Sequence, residues 1–183
     1  MKSVYIPKNP AKKTPPRKTP TRDERYMGLA FIMGSFSHDP NTQIGSQIVG
    51  MNNLPLAWGY NGPPRCIPDD DVDWSRDIKY QWIVHSEINA IYHCLNKTLL
   101  DGATIYVTAP PCPRCMLQIV SVGISKVVYF DLKMDSGSSI NEDEFKKTEE
   151  IAILAKVQLV KFDGNLNWLR DWLKKLEETG VFD

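Results

Sequence analysis

The 183-residue sequence predicts one α/β domain in three layers, with a mixed five-stranded sheet between helices. Three observations carry this prediction. Apolar runs of strand length recur five times, either alternating or continuous. Segments with the three-and-four apolar spacing of an amphipathic helix lie between and around them. The first two strands are joined by a short turn and must be antiparallel, whereas the later ones are separated by helices, which implies parallel crossovers.

Taken in order, residues 1–20 carry Lys2, Lys8, Lys12, Lys13, Arg17 and Lys18 and no acid, with Pro7, Pro10, Pro15, Pro16 and Pro20. Such a stretch cannot bury enough apolar surface to order itself. It is expected to be a basic, proline-rich arm, solvated, or resting on phosphates or a neighbouring subunit; the folded domain is 21–183. Thr21 or Asp23 can cap a first helix, which buries Tyr26, Leu29, Ala30 and Met33 and ends near Gly34-Ser35. Gln43 to Gly50 alternates as a strand, Asn52-Asn53 turns, and Leu54 to Tyr60 returns. Arg65 to about Ile78 reads as a loop, and its acids Asp69, Asp70, Asp71 and Asp73 as solvated rather than cation-binding.

A second helix runs from Tyr80 or His85 to Asn96, with Ile88, Ile91, Tyr92 and Leu95 on one face. Ala103 to Ala109 is a strand. Cys112 and Cys115 open a third helix, whose apolar stripe is Met116, Ile119 and Val120 and which Gly123 ends. Ser125 to Phe130 is continuously apolar and therefore a central strand. Glu142 to Ala155 is a helix, Val157 to Phe162 a strand, and Leu166 to Leu176 a last helix. Its face of Trp168, Leu169, Trp172 and Leu173 suits core or subunit packing rather than an aromatic ligand cage.

Composition limits the function. Lysine plus arginine and aspartate plus glutamate both number 22, so no strong overall field draws the molecule to nucleic acid. No apolar run approaches the length of a membrane span, and the N-terminus lacks the apolar core of a signal peptide. Four cysteines, two of them wanted as thiolates, suit a reducing, cytoplasmic compartment.

Two short segments carry the chemistry: His85-Ser86-Glu87 and Pro111-Cys112-Pro113-Arg114-Cys115. This pairing of H-x-E with P-C-x-x-C is the signature of zinc deaminases acting on nucleobases. Zinc takes nitrogen and sulfur donors tetrahedrally, and a catalytic site keeps three protein ligands and one open position. His85, Cys112 and Cys115 make three. Two residues along a helix point roughly 200° apart, so Glu87 is no ready fourth ligand; from a helix start it can stand beside the reacting water as a general base. A closed structural site would need a fourth donor, and Cys66 and Cys94 are singly placed. A Cys112–Cys115 disulfide would suit a redox motif but leaves His85 and Glu87 without a role.

Four segments resemble the cytidine deaminase superfamily, and within it the deoxycytidylate (dCMP) deaminases. They are Asp39 to Gly45, Gly59 to Pro64, Lys79-Tyr80 through His85 to Ile91, and Pro111 to Cys115. The resemblance implies a cytidine-deaminase-like fold and zinc-dependent deamination of dCMP to dUMP and ammonia, supplying the precursor of dTMP. In such enzymes the backbone at Ser86 holds the pyrimidine carbonyl, and Pro110 borders the substrate. Asn41 is the candidate for the deoxyribose hydroxyl or the phosphate, and Ser37 for a further hydroxyl donor. The cation facing the phosphate is open, with His38 or a neighbouring subunit as candidates. The resemblance further implies a homohexamer activated by dCTP and inhibited by dTTP, possible Mg²⁺ with a bound triphosphate, and an effector site at Gly59, Tyr60, Asn61 and Gly62. Deamination of dCTP, deoxycytidine or a tRNA adenosine is the enzymatic alternative, and a zinc-stabilised binding module the non-catalytic one.

Overall fold

The computed structural model describes residues 19–131 and 140–181. The basic arm, apart from its last two residues, therefore lies outside the described residues. Helix α1 (Arg22–Gly34) opens on a capping box: the Glu24 backbone N–H donates to Thr21 Oγ1 at 3.3 Å, and the Thr21 N–H donates to Glu24 Oε2 at 2.8 Å. Of the two candidate caps, Thr21 is the one used. Strands β1 (Gly45–Val49) and β2 (Pro55–Tyr60) form the antiparallel hairpin. Strand β3 (Thr104–Val107) pairs antiparallel with β1, then parallel with β4 (Lys126–Tyr129), which pairs parallel with β5 (Gln158–Lys161). The sheet order is β2-β1-β3-β4-β5, a mixed five-stranded sheet as predicted, with β4 flanked on both sides.

Alternation along the strands divides the core into two layers. Ile48, Ile105, Val107 and Val127 point to one face. There they meet α3 (Ser86–His93), α4 (Pro113–Ser121) and α5 (Glu142–Ala155) through Ala90, Ile91, Met116, Ile119 and Ala152. Val49, Tyr106 and Val128 point to the other face and meet Tyr26, Met27 and Ala30 of α1. Helix α6 (Asn167–Glu177) lies beside α1, with the Trp168 ring over Gly28, but buries no residue completely.

Two sequence expectations change. The stretch 65–78, read as loop, contains a 3-10 turn at Asp69–Asp71 and a short helix α2 (Arg76–Lys79). Helix α3 ends at His93 rather than Asn96, because the Asn96 side chain instead accepts from the Thr98 N–H and starts a 3-10 turn. Its buried stripe is Glu87, Ala90, Ile91 and Cys94; Tyr92 and Leu95 are exposed. Among the described residues no helix is long and apolar enough to cross a membrane.

Candidate functional site

The site is made where two helices begin on the same face of the sheet. His85 is the N-cap residue of α3 and Cys112 that of α4, and neither side chain caps its own helix. Both are therefore free to turn outward. Pro113 occupies the first turn of α4, where its missing N–H costs nothing. The loop before Cys112 is pinned from α5, where the buried Thr148 hydroxyl donates to the Pro111 carbonyl at 3.0 Å. Helix α3 reaches its position because Gly59 of β2 lets it: a Cβ there would lie 2.3 Å from the Ser86 carbonyl oxygen and 2.4 Å from the Ala90 nitrogen.

These helix starts bring His85 Nδ1 to 3.6 Å from Cys112 Sγ and 3.3 Å from Cys115 Sγ. The three donor atoms lie within 4.8 Å of one another. Tetrahedral zinc with ordinary Zn–N and Zn–S bonds separates neighbouring donors by roughly 3.6 Å, so the donor set and its spacing fit that ion. The donors share protons in a way that a cation would resolve. Hydrogen bonding to Cys112 pushes His85 up to about 9, against burial and the nearby charge of Arg114. The Cys112 thiol is drawn down to about 4, first by its bond with Cys115 and then by His85. The Cys115 thiol is pushed up by Cys112 and by burial.

Glu87 is buried beside these donors, and burial raises its carboxyl above the usual range although the charge of His85 opposes this. A chain of hydroxyls holds it: Ser46 and Ser86 Oγ are 2.6 Å apart, and Ser86 Oγ donates to Glu87 Oε2 at 3.0 Å. Both serines are fully buried. A cavity of about 590 Å³ opens onto His85, Ser86, Glu87, Pro110 and Cys112 together.

A second polar cluster lines the same cavity. Lys79 Nζ sits 2.9 and 2.7 Å from the two oxygens of Asp39, with both side chains almost wholly buried. Asp39 Oδ1 also accepts the backbone N–H groups of Asn41 and Thr42. Asn61 takes the Ile44 N–H at 2.7 Å, donates to the Thr42 carbonyl at 2.8 Å, and reaches Asp39 at 3.4 Å. The cluster ties the 37–44 loop, the end of β2 and α2 together.

The candidate residues thus separate. His85, Cys112, Glu87, Ser86 and Pro110 line the cavity, and the buried Cys115 stands behind them within donor distance of His85 and Cys112. Ser37 and Asn41 are not among its lining residues. The Ser37 hydroxyl donates to the Asn61 carbonyl at 2.7 Å, and Asn41 is exposed. His38 pairs with Asp69 at 2.8 Å, away from the cavity wall. Within the Gly59–Gly62 stretch, Gly59 is covered by α3, the Asn61 amide is saturated inside the protein, and Gly62 exchanges backbone bonds with Val84. Tyr60 alone of the four is partly exposed, its ring packed against Phe36. Sequence reasoning missed Asp39, Lys79 and Arg114 as cavity residues. Asp39 and Lys79 lay within segments already singled out, but 40 residues separate them and nothing local pairs them.

Comparison with known proteins is consistent with this geometry. Residues 20–131, more than half of the chain, match the family model described as the cytidine and deoxycytidylate deaminase zinc-binding region. The chain is 37% identical over 116 residues to a deoxycytidylate deaminase of Homo sapiens, covering 60% of this chain and 65% of that protein. It is 40% identical over 104 residues to an uncharacterized deaminase in the luxG 3′ region of Aliivibrio fischeri, covering 57% of this chain and 69% of that one. The match therefore spans slightly less than two thirds of the length of the human relative. The crystal structure of dCMP deaminase from the cyanophage S-TIM5 in apo form superposes with a TM-score of 0.59 at 23% identity. It covers 79% of this chain and all of that one, a likeness of fold. By the extent of the family match and the donors it encloses, the chain belongs to the cytidine and deoxycytidylate deaminase zinc-binding family.

Proposed function

We propose that this protein catalyses the zinc-dependent hydrolytic deamination of dCMP to dUMP and ammonia. The observation that carries the reading is a buried carboxylate, Glu87, on the same cavity as His85 and Cys112, two of three clustered metal donors. A structural zinc takes four protein ligands and has no use for a base at its side. The named function follows the relatives: the human protein is called a deoxycytidylate deaminase, and another structure of the cyanophage enzyme is in complex with dCMP and dUMP.

His85, Cys112 and Cys115 would hold the ion, which when bound supplies the Lewis acidity that makes water nucleophilic at neutral pH. Glu87 takes a proton from that water as its oxygen attacks C4 of the cytosine, and hands the proton to N3, where it stays in the product. Glu87 then moves the second water proton to the departing amine, which leaves as NH₃. The C4 oxygen becomes the carbonyl of uracil and the carboxylate is restored. The Ser86–Ser46 hydroxyl pair orients Glu87 for both transfers, and the Ser86 backbone N–H holds the pyrimidine carbonyl.

The test is ammonia release from dCMP, dCTP, deoxycytidine and a tRNA by the zinc-loaded protein. Release from dCMP above the others supports the reading, and a preference for another substrate replaces dCMP with it. No release from any of them leaves the zinc-stabilised binding module. The finer reading adds a homohexamer, activation by dCTP with Mg²⁺ on the bound triphosphate, inhibition by dTTP, and a place in the supply of dTMP precursor within the cytoplasm. It rests on the family resemblance. Sigmoidal dCMP kinetics that become hyperbolic with dCTP support the regulatory part; hyperbolic kinetics indifferent to both triphosphates remove it.

A further inference from the structure

A nucleoside monophosphate brings a phosphate into a cavity otherwise matched to a neutral base, and some fixed positive charge must meet it. Among the described residues the cationic groups around the cavity are few. Lys79 lines it, but its ammonium is already set against both Asp39 oxygens, and Asp39 carries an equal and opposite charge. Lys79 is also 3% exposed, so following a ligand would strand a buried carboxylate. His38 is engaged with Asp69 and does not line the cavity. His85 belongs to the metal donors.

Arg114 differs on each count. It lines the same cavity from the first turn of α4, between the two cysteines, and is exposed to solvent. Among the described residues it makes no hydrogen bond or ion pair, and Glu144, which lines the cavity along with Asp39 and Glu87, is not bridged to it. A guanidinium is charged at every physiological pH and presents donors in a fork that fits two phosphate oxygens at once.

We propose that Arg114 is the specificity-determining residue that receives the 5′-phosphate and so selects the nucleotide over the nucleoside. The proposal rests on the function given above, but binding tests it without turnover. The affinities of dUMP and deoxyuridine are measured by calorimetry on zinc-loaded wild type, R114A and R114K, with zinc content determined for each. Removing a charge-assisted contact of this kind costs roughly ten- to a hundred-fold. Wild type is therefore expected to prefer dUMP by that factor, R114A to lose most of the preference, and R114K to keep part of it. The same ratio is expected in kcat/KM for dCMP over deoxycytidine. R114A with the full preference overturns the proposal. So does equal weakening of both ligands, which would make Arg114 a support of the site's shape, and so does a wild type without preference. A wild type that binds dUMP through Arg114 yet releases no ammonia from dCMP removes the functional reading and leaves this one standing.

Discussion

Two polar clusters face one cavity, and they are built by opposite rules. In the cluster of Asp39, Lys79 and Asn61, each charged or amide group is answered by another protein atom. In the cluster of His85, Cys112, Cys115 and Glu87, the donors crowd one another and shift one another's protons. A buried polar group that is fully partnered holds a structure together; one whose demands neighbours leave unresolved is poised for a ligand. The contrast teaches that lying on a cavity wall does not by itself make a residue part of the chemistry.

The largest effect expected is on turnover alone. Glu87→Gln removes the proton carrier while keeping side-chain size, so kcat should fall roughly a thousand-fold with zinc content and melting temperature held near wild type. An active E87Q protein containing zinc would break the comparison at its chemical side. Chelation should likewise abolish ammonia release, and added zinc should restore it.

The opposite pattern is expected at the other cluster. Lys79→Met strands the Asp39 carboxylate in the interior, and breaking such a pair costs about 3–5 kcal/mol, read as a lowered denaturation midpoint. The double variant K79M/D39N should recover part of that loss. A K79M protein of normal stability but no activity would move Lys79 into the chemical cluster.

Gly59→Ala acts between the two. The added methyl would sit 2.3 Å from the Ser86 carbonyl, forcing the start of α3 outward. Overpacking of this kind costs about 1–3 kcal/mol, and because His85 and Glu87 ride on that turn, zinc affinity should weaken with it. Unchanged zinc affinity would show that the close approach does not position the donors. The smallest effect is expected from Ser86→Ala. It removes one bond to Glu87 and leaves Ser46 Oγ without its partner. The loss of about 1 kcal/mol should appear as about a fivefold drop in kcat with little change in KM for dCMP. A matching rise in KM would place the hydroxyl in substrate binding instead.

Much of this was legible in the amino-acid sequence because it is local. The donors follow from two short motifs whose residue types admit few other chemistries, and the helix that carries Cys115 begins at a proline. Alternation along Gln43–Gly50 and the continuous run of Ser125–Phe130 marked β1 and β4, although β1 is buried at all five positions and its polar Ser46 and Gln47 find hydrogen-bond partners inside. The errors also have local causes. Tyr92 and Leu95 are apolar at helical spacing, yet the stripe that packs is one step around the helix, starting from Glu87. A charged residue on the inner face hides the true register from a hydrophobic pattern.

By itself, then, the sequence determined which three side chains could serve as donors, the carboxylate beside them and the alternation of strands and helices, all of which depend on neighbours a few positions apart. Only the tertiary structure decided which polar residues share the cavity. Asp39 meets Lys79 across 40 residues, Gly59 yields to the backbone of α3, and Asn61 turns inward to Ile44 and Thr42. These outcomes depend on how distant segments pack, and a lysine that neutralises a buried acid reads, one residue at a time, like any lysine left in water.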